Sequence, residues 1–186
     1  MDETYSLILL SAGKSERMGL SKADLTLGKH TFLEKIISTY TDVEITKQVY
    51  VVNETMPKVK NSVVNHHYEK GRIYSLQLGL QKTESNWYFL QNIDNPFITV
   101  ELIQTFIDCK KDADMIQPIF NGKKGHPILI SEKVKQEVLK ERNYNLTLRD
   151  VFSRFDKQQM KVNNNSILIN INTPEDYKKY CIEKVN

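Results

Sequence analysis

Short apolar runs alternate along the chain with segments whose apolar residues repeat at helical spacing. Such runs predict buried strands, because a strand covered on both faces has no polar side. The runs are 5–10, 48–52, 62–65, 87–93, 115–120, 127–130 and 166–171. Helical spacing of apolar residues predicts helices over 31–40, 72–80, 100–109, 132–140, 148–152 and 174–184.

Two of the predicted helices have capping residues in front of them. Ser131 stands before the helix at 132–140. Thr173 is followed by Pro174 at the first helical position, with an acid three residues after the cap. Strands that alternate with helices predict an α/β fold, a three-layer sandwich around a mixed, mainly parallel sheet.

The loop after the first strand has the composition of a phosphate site. It reads Leu10-Ser11-Ala12-Gly13-Lys14-Ser15-Glu16-Arg17-Met18-Gly19, and Lys22 follows it. Backbone N–H groups of such a loop, together with its fixed positive charge, suit polyphosphate. Asp94 also follows a predicted strand, and ligands of parallel sheets bind beyond the carboxyl ends of the strands. We therefore expect this loop and Asp94 to line one crevice.

Two common phosphate-binding motifs do not fit this loop. A P-loop requires a glycine five positions before Gly13, where the chain has Ile8. Gly13 and Gly19 also fail to give the G-x-G-x-x-G pattern of dinucleotide-binding folds. The loop is therefore a phosphate site of another kind.

The loop instead follows the pattern Leu-x-Ala-Gly-x-Ser-x-Arg-Met-Gly-x-x-Lys, continued by further apolar and glycine positions up to Leu33. This pattern resembles the nucleotidyltransferases that load molybdenum cofactor, a family with a Rossmann-like, glycosyltransferase-A-like fold. Four further segments resemble the same family: 65–80, Asp94-Asn95-Pro96-Phe97, Gly125-His126-Pro127 and 170–176. The resemblance covers nearly the whole chain and implies one nucleotidyltransferase domain over 1–186.

The resemblance implies a reaction and the residues that perform it. An anionic oxygen of a phosphorylated acceptor attacks the α-phosphorus of a nucleoside triphosphate, and pyrophosphate leaves. Arg17, Lys22 and Asp94 are then catalytic, with Asp94 holding Mg²⁺. His126 is the candidate for acceptor binding. The implied nucleotide-binding residues are Leu10, Ser11, Ala12, Gly13, Lys14, Ser15, Arg17, Lys22, Gly71, Ser75 and Asp94.

Features of the resemblance disagree on the nucleotide. Ala12 resembles the cytidylyl branch and predicts CTP, whereas the guanylyl branch, which uses GTP, has glycine there. The segments that contain Gly71 and His126 also resemble the cytidylyl branch. Asn170 and Asn172 resemble the guanylyl pattern instead of the cytidylyl Asp-x-Asp. They are weaker candidates for metal ligands, because an amide oxygen carries no negative charge.

The implied acceptor is molybdopterin or its molybdenum-loaded form. Residues 143–149 keep only the arginine of a further segment found in the cytidylyl branch. A cytidylyl- or uridylyltransferase that acts on a sugar or polyol phosphate therefore remains an alternative. A second alternative is a non-catalytic, nucleotide-binding accessory protein for the maturation of a cofactor enzyme, which Asn170 and Asn172 favour. A molybdoenzyme or a cofactor-delivery protein is the partner expected in either setting.

Charge, apolar runs and cysteine content limit the kinds of partner and the location to be expected. The 26 basic and 23 acidic residues are interspersed and give a net charge of +3, so neither nucleic acid nor a membrane surface is expected as a partner. No apolar run approaches the ~20 residues of a membrane helix. Cys109 and Cys181 lack the spacing of a thiol metal site, and the N-terminus lacks the basic region of a signal peptide. A cytoplasmic location is expected.

Overall fold

The structure is a computed structural model that describes residues 3–13, 18–19, 21–45, 47–54, 56 and 59–182. The strands are β1 (Tyr5–Leu10), β2 (Thr26–Leu27), β3 (His30–Thr31), β4 (Lys47–Val52), β5 (Ser62–Val64), β6 (Trp87–Asn92), β7 (Met115–Phe120), β8 (Lys123–Lys124), β9 (Ile128–Ser131) and β10 (Lys157–Lys161). The helices are α1 (Phe32–Thr41), α2 (Gly71–Leu80), α3 (Val100–Cys109), α4 (Glu132–Lys140), α5 (Leu148–Phe152) and α6 (Pro174–Tyr177).

The large sheet has the strand order β10-β7-β9-β6-β1-β4-β5, and β8 pairs with β7. Strand β1 is parallel to β4 and β6, β4 is parallel to β5, and β7 is parallel to β10. Strand β9 is antiparallel to both of its neighbours. The strands β10, β7, β6, β1, β4 and β5 therefore point the same way, which confirms the predicted mixed, mainly parallel sheet.

Helices cover both faces of the sheet. In β1, Leu7 and Leu9 belong to one buried cluster together with Phe106 of α3. Ile8 belongs to the other cluster, together with Leu76 of α2. Successive side chains of a strand point to opposite faces, so a strand that is apolar at every position is buried from both sides. The predicted three-layer sandwich is confirmed.

The strand order determines which loops are neighbours. Parallel strands bring their carboxyl ends to one edge of the sheet, here called the carboxyl edge. The loops that follow β4, β1 and β6 leave this edge in that order across the sheet. Because β9 runs antiparallel, the chain enters β9 from the same edge, on the far side of β6 from β1.

The prediction of a strand over 166–171 is wrong. Residues Asn165–Leu168 form a 3₁₀ turn. The side chain of Asn95, which is completely buried, donates to the carbonyls of Ser166 and Ile167 at 3.2 and 3.3 Å. These bonds satisfy backbone groups that a strand would have paired with a neighbour.

Strand β10 takes the edge position instead, and the hydrophobic pattern misses it. Its sequence is Lys-Gln-Gln-Met-Lys, of which Met160 alone is buried. An edge strand that exposes most of its side chains has no apolar run to detect. The hydrophobic pattern also misses the short hairpin of β2 and β3, because a strand of two residues is too short to form an apolar run.

The predicted caps have different outcomes. Thr173 forms the expected capping box with Asp176, but α6 ends at Tyr177 and continues as a π-helical turn over Lys178–Ile182 rather than as one α-helix to 184. Residues 183 and 184 lie outside the described residues. Ser131 occupies the N-cap position of α4, but its hydroxyl makes no capping bond. No helix in the described part of the chain is long and apolar enough to cross a membrane.

Candidate functional site

The start of the phosphate loop is held against the neighbouring strand. The Ser11 N–H donates to the Val51 carbonyl at 2.8 Å, which extends the pairing of β1 with β4 beyond Leu10. The Asn53 side chain donates to the Gly13 carbonyl at 3.3 Å. The backbone of residues 11–13 is therefore positioned at the carboxyl edge, where the sequence predicts phosphate binding.

The predicted nucleotide-binding residues of this loop are only partly described. Leu10 accepts a backbone hydrogen bond from Ile93 at 3.2 Å, which joins the ends of β1 and β6. Ala12 is buried in the same cluster as Ile8. Three of the predicted residues, Lys14, Ser15 and Arg17, lie outside the described residues. Their assigned roles therefore stay predictions.

Lys22 links two distant parts of the chain. Its ammonium group donates to Asn172 Oδ1 at 2.7 Å and lies 3.7 Å from Asp94 Oδ2. The side chains of Lys22 and Asp94 are 11% and 24% exposed, so water screens their attraction less than that of a surface pair. The crevice expected between the first loop and Asp94 thus has a direct contact across it.

Backbone hydrogen bonds fix the positions of Asp94 and Asn172. The Ile171 N–H donates to the Asp94 carbonyl at 2.7 Å. The Asn172 N–H donates to Asp176 Oδ2 at 3.0 Å, in the first turn of α6. This bond, together with the one from Thr173, lowers the pKa of the Asp176 carboxyl. The capping box of α6 therefore also holds Asn172 beside Lys22.

The oxygen atoms in this cluster fit a divalent metal ion. Asp94 Oδ1 is buried and has no hydrogen-bond partner among the residues that the structure describes, which is costly for a carboxylate oxygen unless a cation satisfies it. Asn172 Oδ1 has a second lone pair beside the one that Lys22 uses. One carboxylate and one carbonyl oxygen, completed by phosphate oxygens and water, is a set that suits Mg²⁺. The described residues contain no group of three or more His, Cys, Asp or Glu that could hold a metal.

Asn170 makes contacts different from those of Asn172. Its side chain donates to the Leu168 carbonyl at 3.3 Å. It lines a separate cavity of about 440 Å³, together with Asn121 and Lys123. Among the described residues, no hydrogen bond or ion pair joins Asn170 to Lys22 or Asp94, so the observed contacts support Asn172 more than Asn170 as a metal ligand.

Gly71 and Ser75 belong to a hydrogen-bond network at the start of α2. The Ser75 hydroxyl donates to the Gly71 carbonyl at 3.2 Å and accepts from the Asn65 side chain at 2.9 Å. Gly71 has a φ of +76°, a conformation that favours glycine. Both residues therefore have a local structural role at the carboxyl edge, and nucleotide binding by them stays a prediction.

His126 contacts a cluster that sequence reasoning missed. Arg72 Nη2 donates to Asn92 Oδ1 at 2.6 Å, and Asn92 Nδ2 lies 3.3 Å from His126 Nε2. Since the Asn92 oxygen accepts from Arg72, the amide NH₂ group faces the ring, and Nε2 must accept. Burial, and to a smaller extent the charge of Arg72, lowers the pKa of His126 to about 4, while Asp94 opposes the shift. His126 is therefore neutral, with its proton on Nδ1.

A mainly parallel sheet whose carboxyl edge holds a glycine-containing loop, a lysine and a carboxylate suits the binding of a phosphorylated ligand. Comparison with known proteins defines the class further. Residues 7–160 match the MobA-like NTP transferase domain, and the chain belongs to this family. It is a nucleotidyltransferase, as the sequence predicts.

The names of relatives agree with this assignment, and a solved structure has the same fold. The chain is 25% identical over 180 residues to the molybdenum cofactor cytidylyltransferase of Escherichia coli (strain K12), with 91% of this chain and 92% of that protein covered. It is 27% identical, over an alignment of 201 positions, to a protein of Natranaerobius thermophilus named "Probable molybdenum cofactor guanylyltransferase", with 96% of each covered. The crystal structure of the Rv0371C complex with manganese from Mycobacterium tuberculosis H37Rv has the same fold, with a TM-score of 0.79 at 16% identity over 97% of this chain and 99% of that one.

The depressed pKa of His126 predicts a specific dependence of stability on pH. The unfolded chain takes up a proton at this residue near pH 6.5, whereas the folded chain does so only near pH 4. Acidification from pH 7 to pH 5 therefore favours the unfolded state by ~2 kcal/mol through this group. Urea unfolding at both pH values should show a loss of stability smaller by about that amount in His126→Gln. Equal losses in both proteins would contradict the assignment of a neutral, buried imidazole.

Proposed function

We propose that this chain transfers CMP from CTP to a phosphorylated acceptor and releases pyrophosphate, and that residues 1–186 form one nucleotidyltransferase domain. Molybdopterin, or its molybdenum-loaded form, is the proposed acceptor, in agreement with the names of the relatives. The contact of Lys22 with Asp94 and Asn172 carries the proposal. It supplies a cation and two oxygen ligands beside the loop that would hold the triphosphate.

The reaction exchanges one phosphorus–oxygen bond for another. An anionic phosphate oxygen of the acceptor forms a bond to the α-phosphorus, and the bond from this phosphorus to the bridging β-oxygen breaks. The electron pair of that bond leaves with pyrophosphate. Because both reactants are anions, the protein must neutralise charge and hold them in line, and no covalent nucleophile is needed.

Each proposed residue acts through charge or position. The Lys22 ammonium stabilises negative charge on the α-phosphate as the attack proceeds. Arg17 binds the triphosphate through paired N–H donors, and the backbone of Ser11 to Gly13 holds it at the edge of β1. Lys14 and Ser15 complete that loop. The Leu10 carbonyl accepts a hydrogen bond from the Ile93 N–H, and this bond fixes the position at which the loop begins.

Asp94 and Asn172 would hold the metal, which we propose to be Mg²⁺. The unpaired Asp94 Oδ1 supports this role. Held there by Asp94 and Asn172, such an ion would supply positive charge to offset that of the leaving pyrophosphate. The manganese complex of the Mycobacterium tuberculosis protein supports a divalent ion in this fold. Asn170, which lines a different cavity, is not part of the proposed metal site.

An accessory protein that binds nucleotide without turnover remains the second candidate. The cluster of Lys22, Asp94 and Asn172 contains a single carboxylate, and Asn172 adds no charge with which to retain a metal ion. In this case the protein would deliver a nucleotide or cofactor to a molybdoenzyme in the cytoplasm. Turnover is the property that separates the two candidates.

Pyrophosphate release separates these functions directly. Purified protein is incubated with Mg²⁺, each NTP in turn, and either molybdopterin or a panel of sugar and polyol phosphates. We expect release with CTP and molybdopterin. Release with a sugar or polyol phosphate alone would establish the alternative transferase. Tight nucleotide binding without release on any acceptor would support the accessory protein.

The same assay tests the role of Asp94. Asp94→Asn should lower Mg²⁺-dependent turnover by at least about a hundredfold, because it removes the charge that would hold the metal while preserving the shape of the side chain. Asp112→Asn, an exposed residue before β7, is the matched control and should keep full activity. Near-normal turnover of Asp94→Asn with an intact fold would remove Asp94 from the mechanism.

Ala12 is the proposed determinant of base choice. Its methyl group is buried at the carboxyl edge, with 6% of the residue exposed, and the guanylyl branch has glycine at this position. Ala12→Gly should shift the ratio of kcat/KM for CTP to that for GTP toward GTP by about tenfold, the effect of one methyl-sized change in a pocket. An unchanged ratio in a folded, active variant would contradict base selection at this position.

A further inference from the structure

Arg72 has an exposed guanidinium with no carboxylate beside it. Its hydrogen bond at 2.6 Å goes to the uncharged amide oxygen of Asn92, and within the described part of the chain no ion pair to an acidic side chain accompanies it. A guanidinium has five N–H donors in a planar fork. This contact therefore leaves several donors and a full positive charge available.

The start of α2 carries more positive charge than the helix dipole favours. The first turn of a helix has a partial positive charge, which acidic side chains offset and basic side chains increase. This turn of α2 contains no acidic residue, and the N-cap residue Lys70 makes no side-chain capping bond. Arg72 lies in the same turn and adds its own charge. An anion bound in front of α2 would offset the combined charge.

The pairing of β6 with β1 places Arg72 next to the phosphate loop. Its partner Asn92 is paired in register with Leu10, the last residue before Ser11. Leu10 packs against the buried cluster on the α2 face of the sheet. Paired residues of neighbouring strands point to the same face and lie about 5 Å apart. The Asn92 side chain therefore faces α2 at the point where β1 becomes the loop.

The orientation of the Asn92 amide shows on which side of Asn92 the guanidinium lies. Asn92 Nδ2 faces the His126 ring, on the side of β9. The oxygen of the same amide points away from this ring, and it is the oxygen that accepts from Arg72. The other neighbour of β6 is β1. Arg72 therefore lies on the loop side of Asn92.

Helix α2 is packed directly on the two strands that hold the loop. At Gly79, an added Cβ would lie 2.6 Å from a side-chain carbon of Ile8 in β1 and 3.0 Å from one of Val51 in β4. The Val51 carbonyl also accepts from the Ser11 N–H at 2.8 Å. The helix and the loop are thus fixed to the same strands, which holds the first turn of α2 at a constant distance from the loop.

The loop has backbone donors available for a ligand. Within the described residues, the N–H groups of Ala12 and Gly13 donate to no acceptor, whereas the Gly13 carbonyl accepts from Asn53. The Ala12 side chain packs in the cluster on the α2 face. Consecutive N–H groups beside a guanidinium are a donor set that suits phosphate oxygens.

We propose that Arg72 binds phosphate oxygens of the nucleotide, and that Asn92 positions the guanidinium for this contact. The inference rests on the proposed nucleotidyl transfer and adds a cation to its nucleotide site. Arg72 uses the donors that Asn92 leaves free and binds two oxygens through paired N–H groups. The phosphates are then held by the loop on one side and by α2 on the other.

Calorimetric titration with two probes tests this contact. The first is α,β-methylene CTP, in which a carbon replaces the bridging oxygen and transfer is blocked. The second is inorganic triphosphate, which has no nucleoside. In excess Mg²⁺, Arg72→Met should bind both probes at least about tenfold more weakly than the wild type, the effect of losing a charge-assisted contact. Arg72→Lys should show a smaller loss, because it keeps the charge but not the paired donors.

Lys82→Met is the matched control. Lys82 is exposed just beyond the other end of α2, so its replacement removes one positive charge far from the carboxyl edge. Both probes should bind this variant as they bind the wild type. An equal loss in Lys82→Met and Arg72→Met would show that net charge alone, and not a contact of Arg72, sets the affinity.

A double-mutant cycle tests the positioning role of Asn92. Asn92→Ala should weaken binding of the nucleotide analogue about threefold, because the guanidinium loses the oxygen that directs it. The variant with both Arg72→Met and Asn92→Ala should bind the analogue as Arg72→Met does, since Asn92 acts through Arg72. Losses that add in the double variant would overturn the positioning role.

The outcomes distinguish this inference from the function on which it rests. Failure of the nucleotide analogue to bind the wild-type protein would contradict the proposed function, and the role of Arg72 with it. Normal analogue binding that is unchanged in Arg72→Met would overturn the role of Arg72 alone. Weaker binding of the analogue with unchanged binding of triphosphate would place Arg72 at the nucleoside and would also overturn it.

Discussion

The partly buried charge of Asp94 organises the carboxyl edge of this protein. Its backbone carbonyl accepts from Ile171, and its carboxylate faces Lys22. A carboxylate removed from water is tolerated when a positive charge lies close to it, and Lys22 provides that charge while it also binds Asn172. Three segments that are far apart in sequence therefore meet at one side chain. One oxygen of the same carboxylate has no partner in the described part of the chain, so the interaction that joins the segments also leaves a ligand position open.

The sheet makes this meeting possible. Parallel pairing of β1 with β4 and β6 places the phosphate loop and Asp94 side by side. The antiparallel strand β9 brings a turn back to the same edge on the far side of β6. The loop after β1, the Asp94 side chain and the turn before β9 therefore lie along one edge of the sheet.

The sequence predicted the sheet and the first half of the site because both depend on local patterns. Buried parallel strands such as β1 and β6 are continuous apolar runs, and the contact of Lys22 with Asp94 follows from two loops that leave neighbouring strand ends. Strand β10 was missed because its exposed edge is polar. The segment at 166–171 was assigned wrongly because its apolar residues fill the core as a turn, which the buried side chain of Asn95 holds.

The cluster of Arg72, Asn92 and His126 was not predicted, because it depends on contacts between residues distant in sequence. His126 was a candidate by resemblance, but its partner Asn92 ends a strand, and Arg72 follows a glycine in a segment that was assigned to nucleotide binding. No local spacing relates the three. The sequence did contain one signal for Asn92. It lies two residues before Asp94, at the end of the same strand, so both residues are expected at the carboxyl edge.

Direct observation of a metal ion at Asp94 tests the central claim. Crystals grown with Mn²⁺ and α,β-methylene CTP give an anomalous signal that locates the ion without reference to activity. We expect one Mn²⁺ bound directly by Asp94 Oδ1 and by phosphate oxygens of the analogue, with Lys22 beside it. A manganese ion bound elsewhere, with the nucleotide in place and Asp94 Oδ1 still unpaired, would contradict the account.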